Sequence, residues 1–355
     1  MGSLIPPGDE QGLGEGYHSP QVVVDVRLNT NESPYPPPRA WLTALGDELG
    51  TIPFHRYPDR AAWSLRVALA ELHGVRPDQV FVGNGANEVL QTLLLTYGGP
   101  GRAAALFEPT YALHSHIARL TRTGVALGER HPDFTIDLGE VKRVLADAEP
   151  AVTFLCSPNN PTGRSEPPTV VAEVLQLAPG LVVVDEAYGQ FAPWSALELV
   201  GDEAALVVVR TYSKTWSMAA ARLGYLVGPA SVVAELERRA LPYHLDAVKQ
   251  VAGRLALRFR SEMEARVATV NEERARVLAG LGDLPVATWP SDANFVLFRP
   301  TGRAGREVWQ GLLDRSVLVR DCSAWPGLDG CLRVTVGTPD ENGAFLDALA
   351  EVLGQ

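Results

Sequence analysis

Apolar positions change period repeatedly along this chain. Residues 80–82, 103–107, 124–128, 151–156, 181–185 and 206–210 are short, nearly unbroken apolar runs. Between them, apolar residues recur every three or four positions, which predicts helices over 87–97, 111–121, 138–148 and 169–177. Strands that are apolar on both faces and alternate with helices predict an α/β fold with a mainly parallel, helix-covered sheet. Further helical periodicity covers 60–73. A long helical region over 245–281 carries many Arg/Glu pairs and reads as a solvated helix joining two domains. Beyond it lies a smaller α/β unit: strands 294–298, 317–320 and 331–336, and helices 306–314 and 342–353. The proline-rich string Pro34-Tyr35-Pro36-Pro37-Pro38 is extended and cannot be helix interior. The expected organisation is an arm (1–50) packing on the small domain or a partner subunit, a large domain (51–250) and a small domain (251–355).

Ligands of such sheets bind beyond the carboxyl ends of the strands. Chemistry-bearing residues fall there. The run 206–210 ends in a polar turn with Ser213 and Lys214, and Arg222 follows eight residues later. A desolvated lysine near other cations loses basicity and becomes a Schiff-base nucleophile. Ser213 and Arg222 are suited to holding a phosphate beside it. The expectation is that Lys214 carries pyridoxal 5′-phosphate. Gly85 opens the helix at Ala86 and Asn87, leaving free backbone N–H groups at the positive end of a helix dipole, which suits a phosphate. Its surroundings do not match G-x-G-x-x-G. Asp185 closes a buried strand, where a carboxylate is costly unless paired. It is a candidate partner for a protonated pyridine nitrogen, with Tyr188 and Asn160 in reach of the ring's 3-oxygen and Tyr111 as a stacking ring. Taken singly, these residues have plainer readings: a helix cap or ion pair for Asp185, a loop for Asn160, packing for Tyr111.

Composition narrows the partners. A formal net charge of −11 without basic clusters argues against non-specific nucleic-acid binding. The three cysteines (Cys156, Cys322, Cys331) form neither a disulfide framework nor a zinc-site spacing. No metal is expected. The N-terminal residues lack a basic region followed by an apolar run, and no apolar run approaches the ~20 residues that span a bilayer. The expectation is a cytoplasmic protein.

SPNNPTG, VVVDEAY, TYSKT and ARLGY, in that order, resemble the fold-type I pyridoxal-phosphate-dependent aminotransferases. RLNTNESPYPPP, HRYPD, GNGANE, EPTYALH, LPYHLDAV, SDANFVLF and GCLRVTVGTPDEN are similar to the histidinol-phosphate aminotransferase family within them. The resemblance covers nearly the whole chain. It implies that Lys214 forms the Schiff base and shuttles protons. Asp185 would hold the pyridinium proton, Asn160 and Tyr188 the 3-oxygen, and Tyr111 the ring face. The phosphate would lie on Ala86, Asn87, Ser213 and Arg222, with Tyr57 reaching in from the second subunit of a homodimer. Arg333 would bind the amino donor's carboxylate. For histidinol phosphate, Arg333 and Arg320 would face the substrate phosphate, with Tyr17 from the partner chain.

The implied reaction is transamination between an amino donor and a 2-oxo acid, here histidinol phosphate with 2-oxoglutarate in histidine biosynthesis. The alternatives are a paralogue acting on an aromatic or specialised amine, another pyridoxal-phosphate reaction on the same fold, or a non-enzymatic regulator. Four positions depart from the family pattern: Asn87 replaces an acidic residue, Ser33 a more usual Asn or Tyr, and Trp216 with Met218 follow the lysine in place of smaller or phenylalanine-like residues. Trp216, two residues from Lys214, is expected to narrow the pocket.

Overall fold

The computed structural model describes residues 22–354. It contains two sheets. The larger has seven strands in the order β2-β8-β7-β6-β5-β3-β4: β2 (Val80–Gly83), β3 (Ala103–Glu108), β4 (Gly124–Glu129), β5 (Val152–Cys156), β6 (Leu181–Asp185), β7 (Leu206–Thr211) and β8 (Gly224–Val227). Strands β3 to β7 pair in parallel, and β8 runs antiparallel between β7 and β2. The inner strands are buried on both faces, as expected of valine-rich strands covered by helices. One covering layer includes α3 (Ala86–Tyr97), α4 (Ala112–Leu120) and α7 (Ala230–Arg239). The other includes α5 (Leu138–Ala148) and α6 (Pro168–Leu177). Helix α5 starts where Asp137 accepts from the Gly139 and Glu140 amides, satisfying donors that the first helical turn leaves open.

The smaller sheet has the order β1-β11-β12-β10-β9. Its strands are β1 (Val26–Leu28), β9 (Val286–Thr288), β10 (Phe295–Pro300), β11 (Val317–Asp321) and β12 (Leu332–Thr335). Strand β1 pairs in parallel with β11, so the N-terminal segment is part of this sheet. Helices α10 (Gly305–Leu313) and α11 (Pro339–Leu353) cover it. A capping box between Thr338 and Glu341 starts α11.

Three elements depart from the pattern reading. Residues 39–49 form helix α1, which places Trp41 in the same core as α2 (Trp63–His73) and α8 (Ala247–Ala256). The region 245–281 is not one helix: a 3₁₀ turn at Leu257–Phe259 separates α8 from α9 (Arg260–Gly282). Nor is α9 simply solvated. Met263 packs in the core of the large sheet, Val270 in a cluster between the sheets, and Val277 with Leu281 in the core of the small sheet. This buried stripe, at roughly heptad spacing, ties the two units together. Among the described residues, no helix is long and apolar enough to cross a membrane.

Candidate active site

The register of the large sheet brings the sequence candidates together. Asp185 ends β6 opposite Cys156 of β5 and Val209 of β7. The chain continues from β7 through Ser213 and Lys214, then returns as β8, whose Gly224 pairs with Thr211 on one side and Gly83 on the other. That return sets Arg222 against Gly85 at the start of α3.

The result is a cavity of ≈ 380 Å³, within the range of small-molecule sites. From the large unit, Ala86, Asn87, Tyr111, Asn160, Asp185, Tyr188, Ser213, Lys214 and Arg222 line it. From the small unit and the N-terminal segment come Thr30, Asn31, Glu32 and Arg333.

Lys214 is the lysine of the cavity wall. Its Nζ donates to the Thr30 carbonyl at 3.1 Å and lies 5.6 Å from the Tyr188 ring centroid. Burial lowers its pKa to about 7; Arg333 and Arg222 push the same way, and Glu32 opposes them. Near neutral pH this amine is therefore substantially uncharged and nucleophilic.

One end of the cavity is an anion cradle. The Arg222 guanidinium donates to Ser213 Oγ at 3.2 Å, and Ser213 Oγ also accepts from Thr211 Oγ1 at 3.0 Å. Helix α3 begins at Ala86 without a side-chain cap, so its first N–H groups remain for a ligand. Gly85 is required here. Its φ is +81°, and a Cβ would lie 2.8 Å from Arg222 Nη2. Gly224 is tighter still, since a Cβ would meet the Ala86 nitrogen at 2.3 Å.

A buried carboxylate, Asp185, also lines the cavity. Asp185 Oδ2 lies 2.9 Å from His114 Nε2, and Oδ1 accepts from the Ala187 amide at 3.0 Å. A carboxylate only accepts, so Nε2 carries the hydrogen. His114 is itself buried, stacked on Phe154 at 4.7 Å, with Tyr111 edge-on at 5.3 Å. Tyr188 is buried, and desolvation raises its pKa. It keeps its proton, and its Oη accepts from Asn31 Nδ2 at 2.9 Å. Thr335 Oγ1 donates to Asn31 Oδ1 at 3.1 Å, so strand β12 and the N-terminal segment together set the Tyr188 hydroxyl.

Arg333, on β12, donates to Asn160 Oδ1 and, at 3.0 Å, to the Asn29 carbonyl. Both are neutral oxygens. Its Nε is buried with no hydrogen-bond partner among the described residues. Arg320 is Arg333's direct partner across β11 and β12 and is also buried. It does not line the cavity itself.

Other candidates lie elsewhere. Tyr57 is 81% exposed and stacks on Tyr243 at 4.5 Å, away from the cavity of its own chain. Tyr17 is outside the described residues. Trp216 does not narrow the pocket: it is buried in an apolar cluster with Trp41, Tyr212, Met218 and Met263. Ser33 bonds Ser217 Oγ at 2.9 Å and is also absent from the cavity wall. Sequence reasoning did not select His114, Thr30, Asn31 or Glu32. His114 had a signal, since it lies three residues after Tyr111 on α4, on the same helical face.

These residues fit pyridoxal phosphate. A buried lysine of lowered pKa, a glycine-cleared anion cradle and a buried carboxylate face one cavity of suitable size. Fold and site thus define a fold-type I pyridoxal-phosphate enzyme. The chain belongs to the class I and II aminotransferase family, whose model matches residues 24–349. It is 45% identical over 355 residues to a histidinol-phosphate aminotransferase of Frankia casuarinae, covering 95% of this chain and 87% of that one. It is 44% identical over 361 residues to one of Streptomyces avermitilis, covering 98% and 96%. The fold is also that of a Sinorhizobium meliloti histidinol-phosphate aminotransferase solved in complex with pyridoxal 5′-phosphate. That match has a TM-score of 0.84 at 23% identity and covers 93% of this chain and 91% of the other. The protein is therefore a pyridoxal-phosphate-dependent transaminase, acting on an amino donor and a 2-oxo acid.

Proposed function

We propose that this transaminase exchanges the amino group of histidinol phosphate with 2-oxoglutarate, in histidine biosynthesis. The observation that carries the reading is the Arg320–Arg333 pair. Like charges directly opposite across a sheet are destabilising, and here both guanidiniums are buried. With Arg333 on the cavity wall and Arg320 directly behind it across the strands, the pair would suit an anion of more than one charge, such as a phosphate monoester. The same Arg333 would receive the carboxylate of glutamate or 2-oxoglutarate when that substrate occupies the site. The names of the relatives at 44% and 45% identity support the same substrate.

Each residue's part follows from its environment. Bound in the cavity, pyridoxal phosphate supplies an electron sink beside the amine carbon and a carrier for the amino group. Ser213, Arg222 and the first amides of α3 would hold its phosphate. Asp185, fixed by His114, would keep a proton on the ring nitrogen. Asn160 and Tyr188 would donate to the ring's 3-oxygen, and Tyr111 would cover the ring face. Lys214 Nζ, with a pKa of about 7, can take the proton from the substrate carbon and return it. Two substrates using one site in turn give ping-pong kinetics.

A homodimer with shared sites completes the proposal. Phe54, Tyr57, Leu241 and Tyr243 are exposed large apolar side chains near one another in sequence or by stacking. A second copy covering them would bring Tyr57 to the neighbouring phosphate cradle.

Half-reaction spectra of the holoenzyme test the substrate. Histidinol phosphate and glutamate should each bleach the cofactor band in a single turnover, and phenylalanine should do so poorly. A band bleached by phenylalanine but not by histidinol phosphate refutes the assignment.

A further inference from the structure

Trp325 belongs to the loop between β11 and β12, on the side of the site where the two arginines sit. Four backbone bonds brace this loop: Cys322 N to Cys331 O at 2.9 Å, Trp325 N to Cys322 O at 3.0 Å, Leu328 N to Trp325 O at 3.1 Å, and Cys331 N to Leu328 O at 2.9 Å. The indole uses both of its chemical features. Its face lies 5.2 Å from the Arg320 guanidinium carbon, within cation–π range. Its Nε1 donates to the Thr110 carbonyl at 3.2 Å, across to the large unit.

Thr110 precedes Tyr111, and its Oγ1 donates to Asn159 Oδ1 at 2.9 Å. Asn159 precedes Asn160, which accepts from Arg333. Arg333 faces Arg320 across the strands. The contacts thus close a ring running through Arg320, Trp325, Thr110, Asn159–Asn160 and Arg333. Within it, Trp325 is the strut that fixes one guanidinium relative to the large unit.

We propose that Trp325 is a positioning residue for substrate selection: it holds Arg320 where the phosphate end of the amine binds, and so favours the phosphorylated substrate over the dicarboxylate. The proposal rests on the histidinol-phosphate reading. The Trp325 ring is one contact that favours the inward orientation of this long, flexible side chain beside a second cation. The aromatic face of Trp325 packs on the cation without bringing a negative charge of its own. Glutamate, held by Arg333 on the cavity wall, has less need of the strut.

Two variants of the holoenzyme separate the indole's roles. Trp325→Phe keeps an aromatic face and loses the bond to Thr110. Trp325→Leu loses both. The KM for histidinol phosphate should rise about tenfold or more in Trp325→Leu and less in Trp325→Phe, with kcat little changed. The glutamate half-reaction should stay within about twofold in both. Equal losses for the two substrates, or no loss in Trp325→Leu, overturn the proposal. Calorimetric titration of the same proteins with inorganic phosphate gives a second reading that needs no turnover. Phosphate should bind the wild-type holoenzyme about tenfold more tightly than Trp325→Leu, and equal affinities overturn the proposal. Failure of the wild-type enzyme to use histidinol phosphate sinks the substrate reading instead; the phosphate titration still decides the role of Trp325.

Discussion

His114 Nε2 donates to Asp185 Oδ2 at 2.9 Å, and both side chains are buried. This bond fixes the carboxylate before any ligand arrives. It uses one oxygen, while the Ala187 amide occupies a lone pair of the other. A carboxylate has about four acceptor positions, so capacity remains for one further donor from the cavity.

His114→Asn should therefore keep the fold and lose activity. Outer-shell partners that orient a functional ligand carry about 10- to 100-fold in function, and a kcat decrease of that size is expected. The cofactor's visible spectrum should also change its pH dependence, because Asp185 is less firmly held. Wild-type kcat in His114→Asn would contradict the positioning role.

The free amine of Lys214 predicts a pH signature in the apoenzyme. Its pKa is lowered in the folded protein, from 10.5 to about 7. Between those values the unfolded chain binds the extra proton, so this group makes the apoenzyme more stable as pH rises from 7 toward 10.5. Denaturant melts across that window should show a positive contribution that Lys214→Met removes. An identical pH slope in the two proteins contradicts the lowered pKa.

Gly85→Ala tests the cradle. The substitution imposes strain at a φ of +81° and pushes on Arg222 Nη2 from 2.8 Å. Arg222 ends in a flexible guanidinium, so it can move, and the protein should still fold. The expected result is cofactor affinity weakened about tenfold, measured by equilibrium dialysis. Gly224→Ala meets backbone at 2.3 Å and should reduce soluble yield far more.

Arg320→Ala separates the substrates. Histidinol phosphate should lose about 100-fold or more in kcat/KM, as expected when a charge-assisted contact to a phosphate goes. Glutamate should lose only a few-fold. Equal losses would refute the phosphate role given to Arg320.

Much of this was readable in the chain, for physical reasons. Parallel strands buried on both faces leave continuous valine runs, so β5, β6 and β7 were visible, and the residues just past their ends marked the site. Strand β1 was not visible: it is three residues long, and its partner β11 lies nearly 300 residues away. Helix α1 was hidden behind the prolines at 36–38, with only Trp41 fully buried to mark its inner face. The buried stripe of α9 was masked by the Arg/Glu pairs of its exposed face. His114 escaped because a lone histidine on a helix is usually packing; only the tertiary fold brings it to Asp185 at the end of β6. The orientation of Trp216 is likewise a tertiary fact, since sequence proximity to Lys214 says nothing about which side of the turn its ring takes.

Borohydride reduction of the holoenzyme followed by peptide mass analysis decides whether Lys214 carries the cofactor. One pyridoxyl adduct is expected, on the peptide containing Lys214, with no adduct or visible cofactor band in Lys214→Ala. An adduct on another lysine, or an unchanged band in Lys214→Ala, would contradict that assignment.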